Sequence, residues 1–280
     1  MGYQWLQIDN ISYEDNRMRI KINDFMMSYQ EKGSGIPLLL IHGFPLNSDI
    51  WQTQLKGLAE VARVITPDLR GHGESQPVSG VYSMDLLARD CASLLDSLTI
   101  NQPVVVGGLS MGGYVTLAFY HLFAKRVRGL MLIATRAVSD SPEAQANRDK
   151  MSAQAREQGS GAIAEAMLPK MLAPKTLVNN PILVEQAKKI MESTSVDGII
   201  GDLMGMKSRP DSTPMLPKIN IRTLIIHGKD DTLISMKEAE AMHAAIPHSQ
   251  LQLINNSGHL LNMEQPEIFN NAVRKFLQSL

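Results

Sequence analysis

The sequence predicts an α/β fold: a mostly parallel sheet of eight strands, helices on both faces, and a helical block inserted after the sixth strand. Three observations predict it. Short apolar or β-branched runs alternate with amphipathic stretches along most of the chain, the pattern of parallel strands joined by crossover helices. The run Leu38-Leu39-Leu40-Ile41 is apolar at every position, as a strand covered on both faces must be. One region, between Thr135 and Leu216, holds several helical pieces and no convincing strand.

In chain order, the first sixteen residues are poorly periodic and read as an extra edge strand or a loose arm anchored by Trp5. Alternation over Met18–Ile22 and Met26–Glu31, around Asn23-Asp24, predicts two strands joined by a turn. After the strand at 38–41, a helix is expected over Asp49–Glu60 and a strand over Ala62–Thr66. Helix Ser83–Leu98 follows, with Leu87, Cys91, Leu94, Leu95 and Leu98 on one stripe. Strands at 103–107 and 127–134 flank the helix 114–123. The chain closes with a strand at 223–227, a helix at 236–246, a strand at 250–254 and a helix at 266–280, where Ile268, Phe269, Ala272, Val273, Phe276 and Leu277 share a face. This divides the chain into a core of residues 1–135 and 216–280 and an inserted helical cap of residues 136–215. Within the cap, Ser141-Pro142-Glu143, Asn180-Pro181 and Ser195-Val196-Asp197 resemble helix starts, and Gly159-Ser160-Gly161 breaks one helix from the next. Its methionines, among them Met151, Met167, Met171 and Met191, read either as gap-filling or as an adaptable apolar roof.

Lys and Arg total 27 against 28 Asp and Glu, a formal net charge of −1. That balance gives no electrostatic reason to bind nucleic acid or an anionic membrane. No apolar run is long enough to span a bilayer. The single cysteine, Cys91, excludes an internal disulfide and lies on a leucine stripe, where it reads as core. No metal-site spacing of Cys and His occurs, and the expectation is a cytoplasmic protein needing neither metal nor organic cofactor.

Chemistry points to Gly108-Leu109-Ser110-Met111-Gly112, a G-x-S-x-G segment between a predicted strand and a predicted helix. A chain that reverses there pushes the serine into a strained conformation and needs small neighbours. A phosphate loop would carry Lys-Ser/Thr after the last glycine, but Tyr114-Val115 follow; the dinucleotide pattern fails because Met111 fills a glycine slot. Serine is a weak nucleophile unless a base takes its proton, and the base needs an orienting acid. Of seven histidines, His121, His243 and His248 lie in or just after helices, His227 closes a strand, and His72 lies in Gly71-His72-Gly73. His259, after the last strand, is the best base. Asp230 and Asp231, after the strand ending at His227, are the candidate acids.

Five segments together give the chain a strong resemblance to the α/β-hydrolase superfamily. They are His42-Gly43-Phe44-Pro45, Asp68-Leu69-Arg70-Gly71-His72-Gly73-Glu74-Ser75, the Ser110 turn, Gly228-Lys229-Asp230-Asp231, and Ser257-Gly258-His259. The resemblance implies an α/β-hydrolase fold and a triad of Ser110, Asp231 and His259, since the family's acid usually sits three residues after the glycine. Thr232 and Ser235 stand where the family often has proline. It also implies an oxyanion hole from the backbone N–H groups of Phe44 and Met111, and a structural Arg70–Ser75 loop. The loop after His42 is not the glycine-triplet kind that goes with bulky tertiary-alcohol esters. Trp51 and Met167 are candidate pocket residues.

A nucleophilic serine, rather than aspartate, argues against haloalkane dehalogenase and epoxide hydrolase chemistry. Residues 162–169 and 209–214 resemble a carboxylesterase and 3-oxoadipate enol-lactonase-like branch. The expected activity is hydrolysis of small or medium carboxylic esters, with a small-molecule ester or lactone as partner. Enol-lactonase, cofactor-free perhydrolase, C–C hydrolase and small-ligand receptor are the alternatives.

Overall fold

The computed structural model describes residues 17–280; the expectation for the first sixteen lies outside them. One eight-stranded sheet forms the centre of the core. Its strands are β1 (Arg17–Ile22), β2 (Phe25–Lys32), β3 (Ile36–Ile41), β4 (Ala62–Pro67), β5 (Val104–Leu109), β6 (Val127–Ile133), β7 (Thr223–Gly228) and β8 (Ser249–Ile254). Their spatial order is β1-β2-β4-β3-β5-β6-β7-β8. β2 runs antiparallel to β1 and β4, and every other neighbouring pair is parallel. The strands over residues 36–41 and 104–109 are buried almost throughout, which is why they read as unbroken apolar runs.

The strand order creates the place for a site. The chain steps from β3 to β4 on one side, then crosses back to lay β5 on the other side of β3. The carboxyl ends of β3 and β5 therefore lie side by side while their following segments diverge. Open α/β sheets bind ligands at such reversals. Register places Ile41 beside Gly108 and Gly228 beside Ile254.

The core helices are α1 (Gln52–Gly57), α2 (Met84–Ser97) and α3 (Met111–Phe123), followed after the insert by α8 (Met236–Ala245), α9 (Leu261–Glu264) and α10 (Pro266–Gln278). α2 starts at Ser83, whose hydroxyl accepts from Leu86 N–H, and buries Leu87, Cys91, Leu94 and Leu95. Burial pushes the Cys91 thiol well up from its usual value, so it is a packing side chain rather than a reactive one. Two expectations need correction. Residues 49–60 do not form one helix: a 3₁₀ turn over Ser48–Trp51, capped by the Asn47 side chain, precedes the shorter α1. Ile268 is exposed, because α10 turns Phe269, Val273, Phe276 and Leu277 inward instead.

Between β6 and β7 lie α4 (Pro142–Met171), α5 (Pro174–Asn179), α6 (Pro181–Glu192) and α7 (Val196–Lys207), and no strand is described. Ser141, Asn180 and Ser195 cap α4, α6 and α7 with their side chains. α4 is broken at Gly159, whose φ of +79° is available to glycine at little cost. No described helix is long and apolar enough to cross a membrane.

One carboxylate ties both crossings between core and insert. Asp140 pairs with Arg136 at 2.7 Å, with Arg148 of α4 at 3.0 Å and with Arg209, beyond α7, at 2.8 Å. The Arg209 guanidinium also lies over the Tyr114 ring at 4.1 Å. The Asp140 side chain is solvent-inaccessible and Arg209 nearly so. Asp140→Asn is expected to cost about 3 kcal/mol in stability, because it strands a buried guanidinium; urea unfolding monitored by circular dichroism measures it.

Candidate active site

The G-x-S-x-G segment closes β5 and starts α3. Ser110 has φ +56° and ψ −114°, a strained conformation for a residue with a Cβ. Three hydrogen bonds hold it. Its N–H donates to Ile133 O at 2.8 Å, and its carbonyl accepts from Gly113 N–H at 2.9 Å and from the Thr135 hydroxyl at 2.7 Å. The flanking glycines give the required room. A Cβ on Gly108 would strike Gly112 O, and one on Gly112 would strike Ile41 O. Ser110 is 9% exposed, and its hydroxyl makes no hydrogen bond to a described residue.

Beside it, the segment after β3 packs against the turn: a Cβ on Gly43 would lie 3.1 Å from that of Ser110. The N–H groups of Phe44 and Met111 take part in no described backbone hydrogen bond. Met111 is the first residue of α3, so its N–H has no partner within the helix. The aligned peptides of α3 add partial positive charge at that end.

The candidate acid and the candidate base follow neighbouring strands. His259 Nδ1 donates to Asp231 Oδ2 at 2.8 Å, and both side chains are solvent-inaccessible. Asp231 Oδ1 accepts from Leu233 N–H at 2.8 Å and Ile234 N–H at 3.0 Å. Burial alone would raise the Asp231 carboxyl; the His259 ring and the Ile234 N–H outweigh it and hold the group below the ordinary carboxylate value. Asp230 is exposed. His227 donates from Nε2 to Ile234 O at 3.0 Å and so supports the Asp231 loop. His259 Nε2 is buried without a hydrogen-bond partner among the described residues. The other histidines in or after helices, His121, His243 and His248, are exposed.

The loop bearing His259 is braced from two sides. Asp230 N–H donates to Ser257 O at 2.9 Å. Glu264 of α9 accepts from Gly258 N–H at 2.7 Å through one oxygen, and from Ala173 N–H and the Thr176 hydroxyl through the other. Leu260 N–H donates to Met171 O at 2.9 Å, so the same loop rests on the insert.

The structure thus pairs His259 with Asp231 directly, and seats the Phe44 segment against Ser110. No hydrogen bond joins Ser110 to His259. Trp51 is fully buried with its ring 6.1 Å from Phe269, and Met167 is buried in α4; neither makes a described hydrogen bond or ring contact with Ser110, Asp231 or His259. Thr135 and Glu264 escaped the sequence reading. A polar residue just past a strand end, and a carboxylate five residues after the histidine, were the available signals. Among the described residues, no three His, Cys, Asp or Glu side chains are grouped to hold a metal ion.

A model of the "Alpha/beta hydrolase family" matches residues 38–272, most of the chain. The chain belongs to the alpha/beta hydrolase family. Among solved structures, this hydrolase is similar to a malate-bound thermophilic esterase from Thermogutta terrifontis, with a TM-score of 0.91 and 40% identity over 94% of this chain and 98% of that one. It is 29% identical to 3-oxoadipate enol-lactonase 2 of Acinetobacter baylyi over 86% of this chain and 88% of the relative. It is also 30% identical to a putative non-heme chloroperoxidase of Synechocystis sp., over 89% and 94% of the two chains.

Proposed function

We propose that this hydrolase cleaves small or medium carboxylic esters through an acyl-enzyme, with Ser110 as nucleophile, His259 as base and Asp231 as orienting acid. The observation that carries the reading is the His259–Asp231 bond. A carboxylate accepting Nδ1–H at 2.8 Å fixes the tautomer whose Nε2 lone pair is free to take a proton, and that nitrogen has no partner among the described residues. In the reaction, Ser110 Oγ adds to the acyl carbonyl as its proton passes to His259 Nε2. The carbonyl π electrons move onto oxygen, where the N–H groups of Phe44 and Met111 stabilise the charge, each worth about 3 kcal/mol in the transition state. Collapse expels the alkoxide, which leaves with the proton from the imidazolium. Water then adds to the acyl-enzyme with His259 again as base, releasing the acid and restoring Ser110. Residues 136–215 act as a cap that selects the acyl and alcohol groups, with Trp51 and Met167 proposed at its pocket.

A lactone is a cyclic ester and the same residues can open it; the likeness to an enol-lactonase favours that second reading. The test is a panel of p-nitrophenyl esters of graded chain length beside a lactone panel. Turnover of short and medium esters is the expected result. Inactivity on all esters with turnover of a lactone overturns the ester reading in favour of the second. Labelling of Ser110 by a fluorophosphonate, with negligible turnover on both panels, would make the pocket a receptor.

A further inference from the structure

His72, on the loop after β4, and Asp202, in α7 of the insert, are the most buried titratable pair that this mechanism leaves unused. Both side chains are solvent-inaccessible. His72 Nδ1 lies 2.7 Å from Leu46 O and Nε2 lies 2.8 Å from Asp202 Oδ2. A carbonyl oxygen can only accept, so Nδ1 carries a hydrogen. The second contact needs another, because an unprotonated ring nitrogen facing a carboxylate would set two lone pairs against each other. The pair therefore holds one proton beyond neutral imidazole and carboxylate, shared along the Nε2–Oδ2 contact. Burial opposes the ring's charge, but the Asp202 carboxylate and the Leu46 carbonyl prevail and raise the group above its ordinary value.

Its surroundings suit that charge. The His42 ring is 4.8 Å away. It is kept neutral because its Nε2 accepts from Leu69 N–H at 2.9 Å while Nδ1 donates to Gly43 O at 2.9 Å. Asp68 on the same loop adds negative charge toward His72; burial raises the Asp202 carboxyl above its ordinary value, and His72 and Arg148 of α4 oppose that rise. The carbonyl held by His72 belongs to the segment that presents Phe44 N–H. The preceding carbonyl, that of Pro45, accepts from the Thr194 hydroxyl at 2.8 Å, and Asn47 donates to Ser193 at 3.0 Å. α7 is seated tightly here: Ser195 donates from both N–H and hydroxyl to Gly71 O, and a Cβ on Gly71 would lie 2.7 Å from Gly198 Cα.

We propose that His72 and Asp202 are positioning residues: a buried proton shared between the β4 loop and the insert fixes the Leu46 carbonyl, and through it the Phe44 N–H that faces the reacting carbonyl. The positioning role rests on the oxyanion reading above; the proton itself does not. Groups that touch no substrate then govern kcat more than KM, and docking of α7 becomes a condition for aligned donors.

Two measurements test it. Nitrogen-15 NMR of the full chain at pH 7 is expected to show both ring nitrogens of His72 protonated; a singly protonated ring overturns the proposal. Asp202→Asn is expected to lower kcat on the best ester about 10- to 100-fold with KM changed less than about twofold, the loss that follows a small misplacement of catalytic groups. It should also move the alkaline fall of kcat to lower pH, with Asp202→Glu restoring part of both. A merely structural contact would lower the melting temperature without moving that limb, and an unmoved limb overturns the proposal. If the wild-type chain hydrolyses no ester or lactone, the ester reading fails while the ring protonation stands or falls separately. Amide exchange over residues 43–47 then replaces kcat, with faster exchange expected in Asp202→Asn and unchanged exchange overturning the positioning role.

Discussion

Ser110→Ala is expected to abolish ester turnover, by about 10⁶-fold in kcat, with little change in stability. The reason for the contrast lies in which atoms hold the turn. The backbone of Ser110 makes three hydrogen bonds, with Ile133, Gly113 and Thr135, and its hydroxyl makes none with a described residue. Alanine keeps those bonds and the same positive φ, so the strained turn survives without the proposed nucleophile. The checks are steady-state kinetics on the best p-nitrophenyl ester, fluorophosphonate labelling and thermal melting by circular dichroism. A folded variant that keeps wild-type turnover would remove Ser110 from the mechanism.

Asp231→Asn is expected to lower kcat by about 10⁴-fold, the loss seen elsewhere when the triad carboxylate becomes an amide. Here the structure dictates which way the amide must face. Two backbone N–H groups, of Leu233 and Ile234, point at the Oδ1 position, so the amide oxygen belongs there. Its NH₂ then faces His259 Nδ1, which must give up its hydrogen to accept. The proton moves to Nε2, the atom proposed to receive one from Ser110. Asp230→Asn, at an exposed neighbour, is expected to leave kcat unchanged within about twofold, as surface substitutions usually do. Equal losses in the two variants would contradict the assignment of the acid.

Local pattern carried far in this chain where one physical cause dominated. Near-complete burial of β3, β5 and β7 produced apolar runs that are visible without coordinates, and the caps of α4, α6 and α7 stood out because serine and asparagine are suited to orphan N–H groups. The Ser110 turn was legible because its crowding demands glycine on both sides. The split at Ser48–Trp51 was not, since a 3₁₀ turn and an α-helix share nearly the same apolar spacing. Only the family resemblance separated Asp231 from Asp230 in the sequence; their difference in burial, which two adjacent carboxylates do not reveal, needed coordinates. The pairs that join distant segments were hidden for another reason. His72 and Asp202 are 130 residues apart, and Thr176 and Glu264 88 apart, so no periodicity links them.

The three-arginine junction at Asp140 has a bearing on how specificity could be exchanged between relatives. Both strands of chain that leave and rejoin the core are fastened to one anion, Arg136 and Asp140 on the outgoing side and Arg209 on the return. A chimera that imports the helices over 142–207 from another member, but keeps the host's residues at these three places, joins charges that were never matched. Transplants cut outside Arg136 and Arg209 carry Asp140 and all three of its arginines with them, so every charge at the junction arrives with its own partner.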